Sequence, residues 1–236
     1  MAMRQCWAMV LPPADARVRI SAISGRVTVT AEARDDVVVD RGGSVEASAD
    51  GAFEIRAARS SHSIDVRCPE GADVIVGTRS GGVDLAGRFG TVGVTSQSGS
   101  IRVAAVAEAD LRTVSGVVEL EECAGRCRVS TTSGRITVGA TGDAEISTTS
   151  GSVSVDDVAG TVQVRSVSGT VGVAASGRGP INASTVSGSI TIRLPPGVRP
   201  SVRSSGRGTV RSSFEPGDDM LVDIASVSGT VRLVAV

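Results

Sequence analysis

The stretch from Arg128 to Val173 writes one phrase three times, as VSTTSGRITV (129–138), ISTTSGSVSV (146–155) and VRSVSGTVGV (164–173). Each copy is an alternating apolar and polar run, a Ser-Gly corner, and a second alternating run. The corner serines fall at 133, 150 and 168, spacings of 17 and then 18 residues. Alternation with period two marks a strand with one buried face, so each copy carries two short strands. Apolar positions lie at even offsets before the corner and at odd offsets after it. A residue in the left-handed region makes that switch, and glycine reaches it without a Cβ clash.

Working outward, the corner recurs at Ser24-Gly25, Ser80-Gly81, Ser98-Gly99, Ser115-Gly116, Ser133-Gly134, Ser150-Gly151, Ser168-Gly169, Ser187-Gly188 and Ser228-Gly229. Further corners are read at Ser205, at Ser61 beside His62, and in degenerate form at Gly42-Gly43. Pairs such as Val74 and Val76 or Val162 and Val164 precede a corner, and Val83 and Leu85 or Ile190 and Ile192 follow one. The corner serine is expected on the inward side, its hydroxyl bonded to neighbouring backbone or to the next repeat's serine. Neither a G-x-S-x-G elbow nor a phosphate loop appears in a strand-to-helix context, so these serines are architectural.

Paired short strands suit either an antiparallel meander or a parallel solenoid. Two-residue hairpins favour Asn-Gly or Asp-Gly, and some twenty strands exceed the usual open sheet. Like residues also recur in register: Thr113, Thr131, Thr148, Ser166 and Thr185 each lie two residues before a corner. Outward columns would stack Asp84, Arg102 and Glu119, and Asp110, Arg128 and Glu145, as alternating charges. The expected fold is therefore all-β, a single-stranded parallel β-helix (β-solenoid) of about eleven coils of 17–19 residues, wound right-handed by the crossover rule. Residues 1–17 are expected as an N-terminal cap segment, with Trp7 and Met9 covering the open coil, and 18–236 as the solenoid domain. Leu194–Pro200 (LPPGVRP) and Phe214–Asp219 (FEPGDD) carry prolines that a central strand forbids, and are read as loops.

Of 236 residues 41% are hydrophobic, but with one Trp, three Phe and no Tyr the core must be aliphatic. Net charge is −1, with acids and arginines interspersed, which argues against a nucleic-acid partner. The apolar run Cys6–Leu11, closed by Pro12 and Pro13, is shorter than a secretory signal or a membrane span requires, so a cytoplasmic location without membrane insertion is expected. Cys6, Cys68, Cys123 and Cys127 would then be reduced. The CAGRC run (123–127) could be half of a metal site or a disulfide, but a second Cys/His pair is missing and both cysteines fall on apolar positions. They read as buried inert thiols. His62 reads as a surface turn residue.

The SVSG and TTSG corners followed by x-[VI]-x-V resemble the bacterial β-strand-repeat family that carries the name "putative adhesin", a domain of unknown function. The resemblance runs from about Val18 to Leu233. It implies a parallel β-helix and an association with the cell envelope or stress response, and it brings no active site.

No catalytic, cofactor or metal site is expected. A polysaccharide-active enzyme would need carboxylates converging on a cleft and aromatic rings for sugars; the acid pairs Glu121-Glu122, Asp156-Asp157 and Asp218-Asp219 read instead as solvated corners and a loop. Calcium sites lack their glycine-aspartate pattern, and a threonine array for ice would stop after Thr131-Thr132 and Thr148-Thr149. The function expected is a non-enzymatic scaffold or protein-interaction module with an unidentified protein partner, the alternative being an envelope-associated ligand-binding module. Val231 and Leu233, on the last coil, are expected either to be covered by the Pro-rich segment around Leu194 or the loop at Phe214, or to form a self-association edge and so a homo-oligomer.

Overall fold

Whether neighbouring strands run parallel decides what the Ser-Gly corners build. In the structure, a computed structural model that describes residues 9–10, 16–47, 52–57 and 62–235, they do. All regular structure among the described residues is strand. Contacts gather the chain into two units, Met1–Thr113 and Val114–Val236. In the first lie β1 (Met9–Val10), β2 (Arg17–Ser24), β3 (Val27–Glu32), β4 (Asp36–Arg41), β5 (Gly43–Ala47), β6 (Phe53–Ala57), β7 (Ile64–Pro69), β8 (Asp73–Ser80) and β9 (Val83–Ser98). The extended run β10 (Ile101–Val158) has residues in both. In the second follow β11 (Val162–Ala175), β12 (Ile181–Leu194), β13 (Pro200–Gly206), β14 (Thr209–Ser212) and β15 (Met220–Ala235).

The second unit shows the repeat in its regular form. Corner stands on corner: Ser150, Ser168, Ser187 and Ser228 share one register, and Gly151, Gly169, Gly188 and Gly229 share the next. Inward columns stack apolar on apolar, as in Val153, Val171, Ile190 and Val231, all buried. Glycine is required at the corner twice over. Gly151 has φ 145, and a Cβ there would run into the Gly134 backbone one coil away.

Hydroxyls divide the corner between them. The residue two before the serine is buried and bonds within its own coil, Thr131 Oγ1 donating to the Ser133 carbonyl at 3.1 Å and Thr148 Oγ1 to Ser150 at 3.4 Å. The corner serine is not inward as expected. It is half-buried or exposed, and it donates to the coil before it, Ser168 Oγ to the Thr149 carbonyl at 3.3 Å and Ser228 Oγ to Val186 at 3.3 Å. The serine stands at the turning point itself, so its Cβ leaves the core while its hydroxyl still reaches the neighbouring backbone.

Coil order departs from chain order in both units. In the first, β2 lies between β6 and β8, and β3 between β7 and β9. Ser24 therefore stands directly on Ser80, and the coil holding β6 and β7 lies outside the one that precedes it in the chain. Strands β4 and β5 run antiparallel to β7 and β6 and cover that outer coil, with β1 antiparallel to β4 beyond. The corner read at Gly42-Gly43 is thus a reversal from β4 to β5. Gly42 has φ 81 where the Ser-Gly corners run from 104 to 146, and it packs on the Ser63 backbone with no room for a side chain. Ser61, Trp7, Pro12 and Pro13 lie outside the described residues.

The second unit repeats the device. Strand β15 lies between β12 on one side and β13 with β14 on the other. Val231 sits between Ile190 and Val210, and Leu233 between Ile192 and Ser212, both fully buried. The expected self-association edge at Val231 and Leu233 is therefore interior. The outermost place goes to β13 and β14, which are short and carry Pro200, Arg203 and Arg211, features that blunt a sheet edge. The corner read at Ser205 is displaced as well: Gly206 registers with Ser226 instead of Gly229. The prolines of LPPGVRP and FEPGDD fall in or beside the two connections, 195–199 and 213–219.

Cys68, Cys123 and Cys127 are buried free thiols. Burial pushes the Cys68 thiol up to about 12. A hydrogen bond with Cys123, together with burial, pushes Cys127 up as well.

Candidate functional site

In a solenoid coil, outward residues alternate with the core, and their columns run across the coils. Strands β11, β12, β15 and β13 lie side by side in that order and present the same three-residue window. One outward row reads Gln163, Asn182, Asp223, Arg203, and the row two residues on reads Arg165, Ser184, Ala225, Ser205. Between the long side chains of Arg165 and Arg203, the small Ser184, Ala225 and Ser205 leave a trough of about 390 Å³. Farther along the same outward face, one residue before each corner serine, Val167, Val186 and Val227 are 47%, 48% and 60% exposed. The trough thus has a polar side, a floor of small residues and a neighbouring apolar ridge.

No ion pair closes across it. Neither Arg165 nor Arg203 makes an ion pair with a described residue, and Asp223, which neighbours Arg203 in register, makes none either. Some outward charges elsewhere are paired. Asp84 pairs with Arg26 at 3.4 Å and Arg102 at 3.6 Å, and Arg128 with Glu145 at 2.6 Å, which bears out those neighbours in the expected charge columns. Residues 159–236 carry eight arginines against four acidic residues, whereas 114–158 carry three against seven. Arg211 and Arg232 even lie in direct register, an arrangement that repels.

A second hollow, of about 350 Å³, is lined by Arg126, Asp143, Ala144, Glu145, Thr161 and Gln163. Here Asp143 accepts the Thr161 N–H at 2.7 Å and Glu145 holds Arg128, so its carboxylates are tied to the fold.

The residues singled out from sequence do not converge. Glu121 and Glu122 are exposed, Asp156 accepts the Ser154 hydroxyl at 3.0 Å, and Asp219 accepts the Arg199 N–H at 2.9 Å. His62 is exposed. Among the described residues no group of three or more His, Cys, Asp or Glu side chains is placed to hold a metal. The trough itself was not legible in the sequence. Arg203 and Asp223 become neighbours because β13 is displaced in register, with Gly206 against Ser226; aligning the corners Ser205 and Ser228 would put Arg203 opposite Ser226 instead.

Stacked parallel coils, Ser-Gly corners and an aliphatic core define a β-helix-like solenoid of the repeat class. The chain belongs to the family described as Toastrack DUF4097, a domain of unknown function, whose model matches residues 13–233. Among solved structures it is similar to a "putative adhesin" from Bacteroides fragilis NCTC 9343, at 10% identity over 98% of each chain and a TM-score of 0.48. It is also similar to a "putative adhesin" from Parabacteroides merdae ATCC 43184, at 11% identity over 97% of this chain and 95% of that one, with a TM-score of 0.46. No curated protein matches the chain.

Proposed function

We propose that the chain is a non-enzymatic protein-interaction module: a right-handed β-solenoid of about eleven coils that works as a rigid scaffold and takes its partner along the trough of β11, β12, β15 and β13. The observation that carries this is the pair Arg165 and Arg203, exposed guanidinium groups beside a floor of small side chains, Arg203 with Asp223 as its neighbour in register. A guanidinium is always charged and binds carboxylates bidentately, so two of them beside a hollow favour a ligand over bare solvent. The carboxylates of the fold supply backbone acceptors and ion pairs, which supports a binding role over catalysis. Free thiols at Cys68, Cys123 and Cys127 suit a reducing compartment, and we place the protein in the cytoplasm.

Site-specific photo-crosslinking tests the reading. A photoreactive residue at Ser184 is expected to capture a partner in cells, and the adduct is expected to vanish in an Arg165→Glu, Arg203→Glu background. Crosslinks that ignore both arginines would overturn it, as would hydrolytic turnover that requires the trough residues.

A further inference from the structure

We propose that Arg211 and Arg232 form a clamp for a phosphomonoester, carried by a phosphorylated serine or threonine of a partner protein. The clamp lies on the strands that follow the corner, apart from the trough, so it goes beyond the reading given to Arg165 and Arg203 and does not depend on it.

Register carries the argument. Arg211 of β14 pairs directly with Arg232 of β15 and both are exposed, so their side chains leave the same face of neighbouring strands about 4.8 Å apart. Like charges placed directly opposite repel. Neither guanidinium makes an ion pair or a side-chain hydrogen bond with a described residue. In other outward columns an acid faces the arginine, as Asp84 faces Arg102 at 3.6 Å and Glu145 faces Arg128 at 2.6 Å. Around this pair no neighbour is acidic: the adjoining outward positions on β12, β14 and β15 hold Ser189, Thr191, Arg193, Thr209, Thr230 and Val234.

Those neighbours add donors to the charge. Thr191 is the other neighbour of Arg232 in register, and Thr209 and Thr230 pair with each other two residues before the arginines. None of these three hydroxyls bonds a described residue. Arg193 stands one strand and two residues from Arg232, about 8 Å away and within the span of a long side chain.

Charge and shape select the ligand. The paired guanidinium groups present two positive charges, and a phosphomonoester brings about −1.5 to −2 at pH 7 with three acceptor oxygens, where a carboxylate brings one negative charge. A guanidinium takes phosphate oxygens bidentately, so each arginine can hold one edge of the tetrahedron while threonine hydroxyls donate to the oxygen left over. Among the described strands β14 pairs with β15 alone, which leaves the backbone groups of its other side open to the segment that carries the phosphate. Arginine makes this edge poor for an uncharged strand and favourable for a phosphorylated one. A lipid surface fits less well, because no large apolar side chain beside the pair is exposed to enter it.

The test uses the full chain and a fluorescein-labelled peptide, Gly-Val-Thr-phosphoserine-Val-Thr-Gly, followed by fluorescence anisotropy. The phosphopeptide is expected to bind about tenfold or more tightly than its serine counterpart, and Arg211→Gln or Arg232→Gln is expected to remove most of that preference. Inorganic phosphate is expected to compete with the peptide, and to raise the wild-type melting temperature over chloride at equal ionic strength, a rise that both variants lose. In chloride each variant is expected to melt at or above the wild-type temperature, since it relieves a repulsion, which separates lost binding from lost fold. Equal binding of the two peptides, or a preference that survives both substitutions, would overturn the clamp. A melting temperature lowered in chloride by either substitution would show that the arginines serve the fold instead. Tighter arginine-dependent binding to phosphatidylcholine vesicles containing phosphatidic acid than to the phosphopeptide would overturn the assignment of the phosphate to a protein. The Ser184 crosslink reads the trough separately, and no result at Arg211 and Arg232 alters what it reports.

Discussion

Thr148 and Ser226 hold equivalent places, each buried two residues before a corner serine, yet only one of them is satisfied. Thr148 Oγ1 bonds the Ser150 carbonyl, whereas the Ser226 hydroxyl finds no partner among the described residues, wedged beside Gly208. A made bond of this kind contributes about 1 kcal/mol, while an orphaned buried hydroxyl is a net cost. Thr148→Val is therefore expected to lower stability by about 1 kcal/mol, and Ser226→Ala to leave it unchanged or raise it, as read by chemical denaturation. Val164 gives a harsher test of the inward columns. It stacks between Ile146 and Ala183 and is 1% exposed, so Val164→Asp is expected to cost several kcal/mol while Val164→Ile is nearly neutral. A wild-type melting temperature for the aspartate variant would break the register. The thiols make a third case: at pH 8, with the Cys68 thiol pushed up to about 12, native protein is expected to leave Cys68 and Cys127 unlabelled by iodoacetamide until denaturant is added, as mapped by mass spectrometry. Parity along the sequence was enough to put Val164 and Cys127 inside.

Strands were legible in the sequence and their neighbours were not. Most corners carry the same serine and glycine, and Ser61, with His62 after it, still reads as one of them, so the sequence alone does not say which coil Ser24 stands on. A degenerate repeat of this kind specifies register without specifying which coil lies next to which. What distinguishes the outer coils is the quality of their edges. The hairpin of β4 and β5 shields one with charge: Arg67 bridges Asp40 at 2.6 Å through both carboxylate oxygens, and Arg34 bonds Asp36 at 2.7 Å. These hydrogen bonds hold both carboxyls below the ordinary aspartate range. A carboxyl depressed in the folded state stabilises it above the unfolded pKa of about 3.9, and that contribution is lost as pH falls through the lower folded value. Both groups are largely solvated, so the effect is small and local. Amides of 36–41 are expected to lose protection, relative to β3, as pH falls below about 3.9, and Asp40→Asn is expected to abolish most of that pH dependence. At the other outer coil, Val231 and Leu233 should be as protected from exchange as Ile190 and Ile192, with Val210 exchanging first.

At the scale of the whole molecule, a net charge of −1 conceals a division, since arginines outnumber acids over residues 159–236 and acids outnumber arginines over 114–158. Composition averaged this away, and with it the reason to look for a ligand near Arg165 and Arg203. The exchanged order of coils has a different reach. A ribosome delivers β13 and β14 before β15, yet their place against the stack exists only once β15 has entered beside β12. A chain that folds as it is made can therefore complete β11 and β12, but it cannot seat β13 and β14 in their final place before β15 is present. The segment 200–212 waits undocked, an exposed pair of short strands, until the later segment slips in beneath it. The arginines and serines that make β13 and β14 poor edges in the finished protein also keep that waiting segment from pairing with the wrong chain.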